Sequence, residues 1–297
     1  MSDSQNTALE QILTLLSARH SSPGSSALRL SLKMISKTMQ NKILKRLKKT
    51  EIEHGVKILY AIESGSRAWG FESQNSDYDV RFIYAHTMEW YLDINLEDKR
   101  DVIEYDIVDE IDISGWDIRK ALKLYWKSNP AFVEWLKSPI IYIDDGKFAK
   151  KSRLLLDSIY SIEKGIYHYR SMAKANYRGY LKQKQVRLKK YFYVLRPLLA
   201  IKWLETRRET APIEFERLRA LVQKNKALND EISKLLTMKK AAREMDVGPA
   251  NKIVNQFIEN ELHRLEAYSE KPIDQKIPFD SLNQIFKESL IDNTYPA

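Results

Sequence analysis

The sequence predicts an α+β fold, in which a small mixed sheet is followed by an all-helical region. Two observations carry this. Apolar or alternating runs of strand length, at 56–62, 79–84, 101–105, 111–113 and 140–143, all fall in the first half of the chain. From 147 to 291 no convincing strand is found, and the apolar spacing reads as five or six helices. A chain of 297 residues suffices for two modest domains or one large one. The boundaries read as a helical arm and linker at 1–26, an α/β domain at 27–146 and a helical domain at 147–297.

Each element has a local reason. Leu9, Ile12, Leu13, Leu15 and Leu16 make a small amphipathic pattern, and Ser21-Ser22-Pro23-Gly24-Ser25-Ser26 is a linker by composition. Residues 27–53 are helical by spacing, with Lys42, Lys45, Arg46, Lys48 and Lys49 near the C-terminal end, where cations suit the helix dipole. Residues 86–92 form a short helix or lid-like loop. Ser114-Gly115-Trp116-Asp117 is expected to open a helix running to about residue 127, with Ser114 the better cap by type. Asn129-Pro130 opens the next, since Asn caps well and Pro suits the first helical position. Asp144-Asp145-Gly146 turns the chain out of the sheet.

In the second half Leu188, Phe192, Leu195 and Leu199 form an apolar stripe that reads as core. One position on, Lys189, Tyr193 and Arg196 form a polar and basic stripe, either a solvated face or the lining of a phosphate- or base-binding cleft. Pro197 is expected to kink this helix, because it removes a backbone donor. Further helices between 214 and 267 split at Asp246-Val247-Gly248-Pro249. Residues 269–278 read as irregular and 281–290 as a last helix.

Composition narrows the function classes. The net charge of +9 suits a polyanionic partner, with RNA or DNA first. The absence of cysteine excludes disulfides, thiol catalysis and Cys-based zinc sites. No run of about 18 apolar residues is present, so no membrane span is expected. The opening residues lack the basic and apolar regions of a secretion signal, and a cytoplasmic location follows.

The stretch that carries chemistry is Gly65-Ser66-Arg67-Ala68-Trp69-Gly70, followed by Ser76-Asp77-Tyr78-Asp79-Val80-Arg81. A strand leads into a Gly/Ser turn with a short helix, and a second strand opens on two carboxylates. Alternation puts Asp77, Asp79 and Arg81 on one face and Tyr78, Val80, Phe82 and Tyr84 on the core face. Carboxylates one strand-repeat apart suit Mg²⁺ or Mn²⁺, hard cations that share oxygen ligands with substrate phosphates. Gly65 lets the backbone approach a phosphate, the Ser66 hydroxyl can bond to it, and Arg81 can neutralise it. A third carboxylate is expected further on. Asp112, between two isoleucines, is the first candidate, with Asp109 and Glu104 as rivals.

Gly-Ser, eleven residues, then Asp-x-Asp-hydrophobic resembles the signature of the DNA polymerase beta nucleotidyltransferase superfamily. Glu63-Ser64-Gly65-Ser66-Arg67-Ala68-Trp69-Gly70, residues 76–84, residues 112–122, Lys127-Ser128-Asn129-Pro130 and residues 189–200 together resemble its RlaP-type, RNA-ligase-associated members. The resemblance spans about 55–205. It implies a nucleotidyltransferase α/β domain followed by helices, with metal-binding carboxylates at Asp77, Asp79 and Asp112. It implies triphosphate contacts at Gly65, Ser66 and Arg81, and Lys189, Tyr193 and Arg196 lying over the nucleotide. The implied activity is transfer of a nucleoside monophosphate from an NTP to an acceptor hydroxyl, with an RNA 3′ end as the leading acceptor and RNA repair as the setting. A protein or small-molecule acceptor, or a silent RNA-binding protein on the same fold, are the alternatives. Oligomeric state is not legible.

Overall fold

A computed structural model describes residues 35–73, 75–241, 247–267 and 279–291. The arm and linker expected at 1–26, the start of the helix expected from 27, and the irregular stretch at 269–278 lie outside these residues. Helix α1 (Lys37–His54) leads into β1 (Lys57–Glu63), the short α2 (Gly65–Trp69) and β2 (Tyr78–Ala85). After α3 (Met88–Leu92) come β3 (Val102–Glu104) and β4 (Ile111–Asp117), then α4 (Ile118–Trp126), α5 (Pro130–Leu136) and β5 (Ile141–Asp144). The five strands form one mixed sheet in the order β3-β4-β2-β1-β5. Only β2 and β4 run parallel, with Asp79 opposite Asp112 and Arg81 opposite Ser114. The other neighbours are antiparallel.

Burial explains the strands. β4 alternates buried and half-buried residues over its whole length, so one face is core and the other partly open. This corrects the expectation that Ser114 starts a helix. Gly115 stays in the strand because it lies against the Phe82 ring, where a Cβ would stand 2.3 Å from Cε2. The cap is Asp117, which accepts from Arg119 N. At α5 the Asn129 side chain accepts from Ala131 N and Phe132 N, with Pro130 in the first turn.

The rest of the described chain is mainly helical: α6 (Phe148–Leu154), α7 (Leu156–Ile159), α8 (Ile162–Asn176), a π-turn (Tyr177–Leu181), α9 (Leu188–Arg207), α10 (Phe215–Arg219), α11 (Lys226–Ala241), α12 (Lys252–Arg264) and α13 (Asp280–Ile291). Two short strands, β6 (Gln185–Arg187) and β7 (Val247–Pro249), pair antiparallel. They correct the reading that no strand follows residue 147: three residues each are too few to show alternation. Pro197 sits inside an uninterrupted α9. That helix is the spine of the second core, and its packing outweighs the missing hydrogen bond.

Two cores result. In one, Ile83 and Ala85 of β2 pack with Ile118, Ala121, Leu122 and Tyr125 of α4 and with Leu282 and Ile285 of α13. The other is built on Phe192, Leu195 and Leu199 of α9, and it takes in Phe71. The Phe71 ring lies 4.8 Å from that of Phe192 and 5.6 Å from that of Phe215. The segment between α2 and β2 is therefore seated in the helical core.

Candidate active site

The Gly/Ser turn and the two parallel strands meet at one place. Gly65 adopts φ +58°, and a Cβ placed on it would lie 1.9 Å from Asp79 Oδ2. Only glycine allows both this backbone and this approach. Ser64 N donates to Asp79 O at 2.8 Å, which fixes the turn to the start of β2. Across the parallel register, Arg81 bridges the acids: Nη2 donates to Asp112 Oδ2 at 2.7 Å and to Asp79 Oδ1 at 3.3 Å. Its Nη1 donates to the backbone oxygens of Asp112 and Val80, both at 3.0 Å. The carboxylates remain open to solvent, with side-chain exposures of 29% for Asp79 and 26% for Asp112.

The rivals of Asp112 are engaged elsewhere. Asp109 pairs with Lys42 at 2.7 Å and with Arg46 at 3.4 Å, and those pairings hold its carboxyl below the usual range. Glu104 pairs with Arg100. Asp77 is half-buried just before β2, and its backbone oxygen accepts from Arg67 Nε at 3.3 Å. Ser66 is half-buried in the first turn of α2, where its carbonyl accepts from Gly70 N and Phe71 N.

On the helical side, Tyr193 meets Trp69 edge-on with ring centroids 5.8 Å apart, which puts it beside the turn. Lys189 is half-buried on the same helix. Arg196 is different. It is 3% exposed, donates to Glu134 Oε1 at 2.9 Å and to Ile213 O at 3.3 Å, and stacks over Trp69 at 4.5 Å. The expectation of a nucleotide-facing Arg196 gives way to a buried ion pair. Every residue of the helix from 194 to 201 is buried, so Arg196 has no solvent-facing side to occupy.

Several supporting residues were not singled out from the sequence. Glu63, fully buried, accepts from Asp79 N at 3.0 Å and from Tyr142 Oη at 2.6 Å. Burial pushes its carboxyl up to about 7, against those two hydrogen bonds. The signal was a charged residue closing an apolar strand. Arg67 lies over the Tyr78 ring and donates to Ser76 O at 2.7 Å. Lys239, 6% exposed on α11, donates to Ser76 Oγ at 3.1 Å. No signal near the motif pointed to a lysine so distant in sequence.

Among the described residues, no group of three or more His, Asp or Glu side chains is gathered to hold a metal ion. The Asp79 and Asp112 donors are of the right type for a hard divalent cation: oxygen only, half-exposed, on adjacent strands about 4.8 Å apart. Arg81 now supplies the positive charge between them, so a cation there competes with the guanidinium.

The mixed sheet with a Gly/Ser turn packed on a strand aspartate is the arrangement that the resemblance to nucleotidyltransferases of the DNA polymerase beta type implied. The chain belongs to the RlaP family, the RNA repair pathway DNA polymerase beta family, which matches residues 39–288. A protein of Bacillus subtilis (strain 168) described as uncharacterized protein YcgL is 44% identical over 248 residues, covering 83% of this chain and 95% of its own. A crystal structure of a nucleotidyltransferase-like protein from Exiguobacterium sibiricum 255-15 aligns over 84% of this chain and 90% of its own, at 10% identity and a TM-score of 0.30. No helix among the described residues is long and apolar enough to cross a membrane.

Proposed function

We propose that the protein transfers a nucleoside monophosphate from an NTP to the 3′ hydroxyl of an RNA, releasing pyrophosphate. The supporting observation is the contact of Gly65 with the Asp79 carboxylate, beside Asp112 in register. In this reading the triphosphate lies on the Gly65-Ser66 turn. Arg81, once released from the acids, offsets its charge. Asp77, Asp79 and Asp112 would hold Mg²⁺ or Mn²⁺, which would neutralise phosphate charge and polarise the acceptor oxygen. Asp112 receives the acceptor proton as that oxygen attacks the α-phosphorus, and the bond to pyrophosphate breaks in line. Tyr193 and Lys189 lie over the nucleotide. Residues 27–146 carry the chemistry and 147–297 the binding surface, and positioning and electrostatics supply most of the rate.

The test is incubation with each labelled NTP, Mg²⁺ or Mn²⁺, and pooled RNA or protein. Label on RNA is the expected result. Label on protein moves the acceptor to a protein hydroxyl, and binding of RNA with no label under any condition overturns the enzymatic reading.

A further inference from the structure

The helical half carries a charged groove away from the Gly/Ser turn. Two adjoining hollows of about 220 and 590 Å³ share Tyr177, Lys182 and Glu259. Arg170, Lys174 and Arg178 line the first, and Lys184 the second. The cations at 170, 174, 178 and 182 recur every four residues through the end of α8 and the π-turn. Along an α-helix a four-residue step overshoots one turn by about 40°. The wider π-turn at Tyr177–Leu181 undershoots, and so returns the row to one face. The spacing is roughly 6 Å at 1.5 Å rise per residue, commensurate with the phosphates of an extended single strand.

The charge is one-sided. Arg170, Lys174, Arg178, Lys182 and Lys184 stand against two carboxylates, Glu259 and Glu266, with His263 between. Glu259 is already engaged by the Tyr177 hydroxyl. Asn255, which lines the second hollow, turns its side-chain amide inward toward Tyr191. The second hollow adjoins α9 on the face opposite the catalytic turn: Tyr191 Oη accepts from Asn251 N at 2.7 Å, whereas Tyr193, two positions on, faces Trp69. Around the N-terminal end of α9 the surface continues. Lys190 lies over Tyr180 at 3.7 Å and over Tyr193 at 4.8 Å, and Tyr193 reaches Trp69.

We propose that this groove is a track for the sugar–phosphate backbone of single-stranded RNA, which rests on the RNA-acceptor reading for its polymer. Arg178, Lys182 and Lys174 contact phosphates. The strand then turns over Tyr180 and Lys190, where a base stacks, toward Gly65.

The experiment uses the full chain and a labelled short oligouridylate, with anisotropy measured over a salt series. The double variant Arg178→Glu/Lys182→Glu is expected to bind at least about tenfold more weakly. Its log–log salt slope is expected to be shallower by about 1.4, since each single-strand phosphate contact contributes roughly 0.7. Both residues are exposed, and Arg178→Gln/Lys182→Gln serves if the charge reversal disturbs folding. Affinity and slope unchanged in both double variants overturn the track. NTP binding is measured on the same samples. RNA affinity lost in the variants, with no NTP binding or transfer by any sample, retains the track and removes the transferase reading. Transfer and NTP binding retained, with RNA affinity unmoved, does the reverse.

Discussion

Gly65→Ala separates the turn's chemistry from its backbone. The substitution has two costs in this structure. The φ of +58° is a left-handed conformation, which costs an L-residue about 1–2 kcal/mol. The new Cβ also stands 1.9 Å from Asp79 Oδ2, whereas ordinary contact begins at 3.4 Å, so the carboxylate must retreat by about 1.5 Å. A misplacement of about 1 Å in a catalytic constellation costs on the order of 100-fold in rate. Gly55 supplies the control. Its φ is +59°, and a Cβ there meets nothing within 4 Å. Gly55→Ala should lose a few degrees of melting temperature, at about 2–4 °C per kcal/mol, and Gly65→Ala more, since its Cβ also displaces the Asp79 carboxylate. Only Gly65→Ala should lose transfer, by about 100-fold or more, in the labelled-NTP assay. Equal activity in the two variants would refute the argument that Gly65 exists to admit the Asp79 carboxylate.

Other outcomes follow from named contacts. Glu63 has a folded pKa of about 7 against 4.5. A raised acid gives its stability below the unfolded pKa and loses it as pH rises through the folded one. The unfolding free energy from denaturant titrations should therefore fall between about pH 4.5 and 7, by about 3 kcal/mol in all, and Glu63→Gln should flatten that slope. Asp79→Asn should abolish transfer while costing only about 1 kcal/mol in a thermal melt, because Arg81 keeps its stronger bond to Asp112. The two acids gain little from losing one charge, since a guanidinium already lies between them. Arg196→Met should destabilise by about 3–5 kcal/mol, by stranding Glu134, and leave the NTP affinity of the folded protein unchanged. Adding Glu134→Gln should recover part of the loss while keeping an acceptor for Tyr169 Oη. A fall in NTP affinity would return Arg196 to the binding surface.

Much of this was legible because local rules and tertiary structure agree. Gly65 stands out as a glycine before a strand acid, and the alternation around Asp112 survives in the burial of β4, whereas β2 alternates only from Asp79 to Phe82. What was not legible depended on partners distant in sequence. Gly115 reads as a helix opener until the Phe82 ring is placed against it. Helical spacing could not say whether Arg196 turns to solvent or to Glu134, which lies 62 positions away. Pro197 breaks helices as a residue, but α9 is held by the core around it. The row at 170–182 shows its alignment only once the π-turn is known.

The link from Lys239 to Ser76 spans 163 positions. The loop that delivers the first aspartate is thus held from below by a helix made long after it, and Phe71 is gripped by rings of α9 and α10. Helix α13 likewise returns to lie on α4 and α6. A fragment released at residue 146 would keep every acid of the motif yet lose the anchors that aim them. Exchanging the helical half for another would therefore mean rebuilding the loop as well.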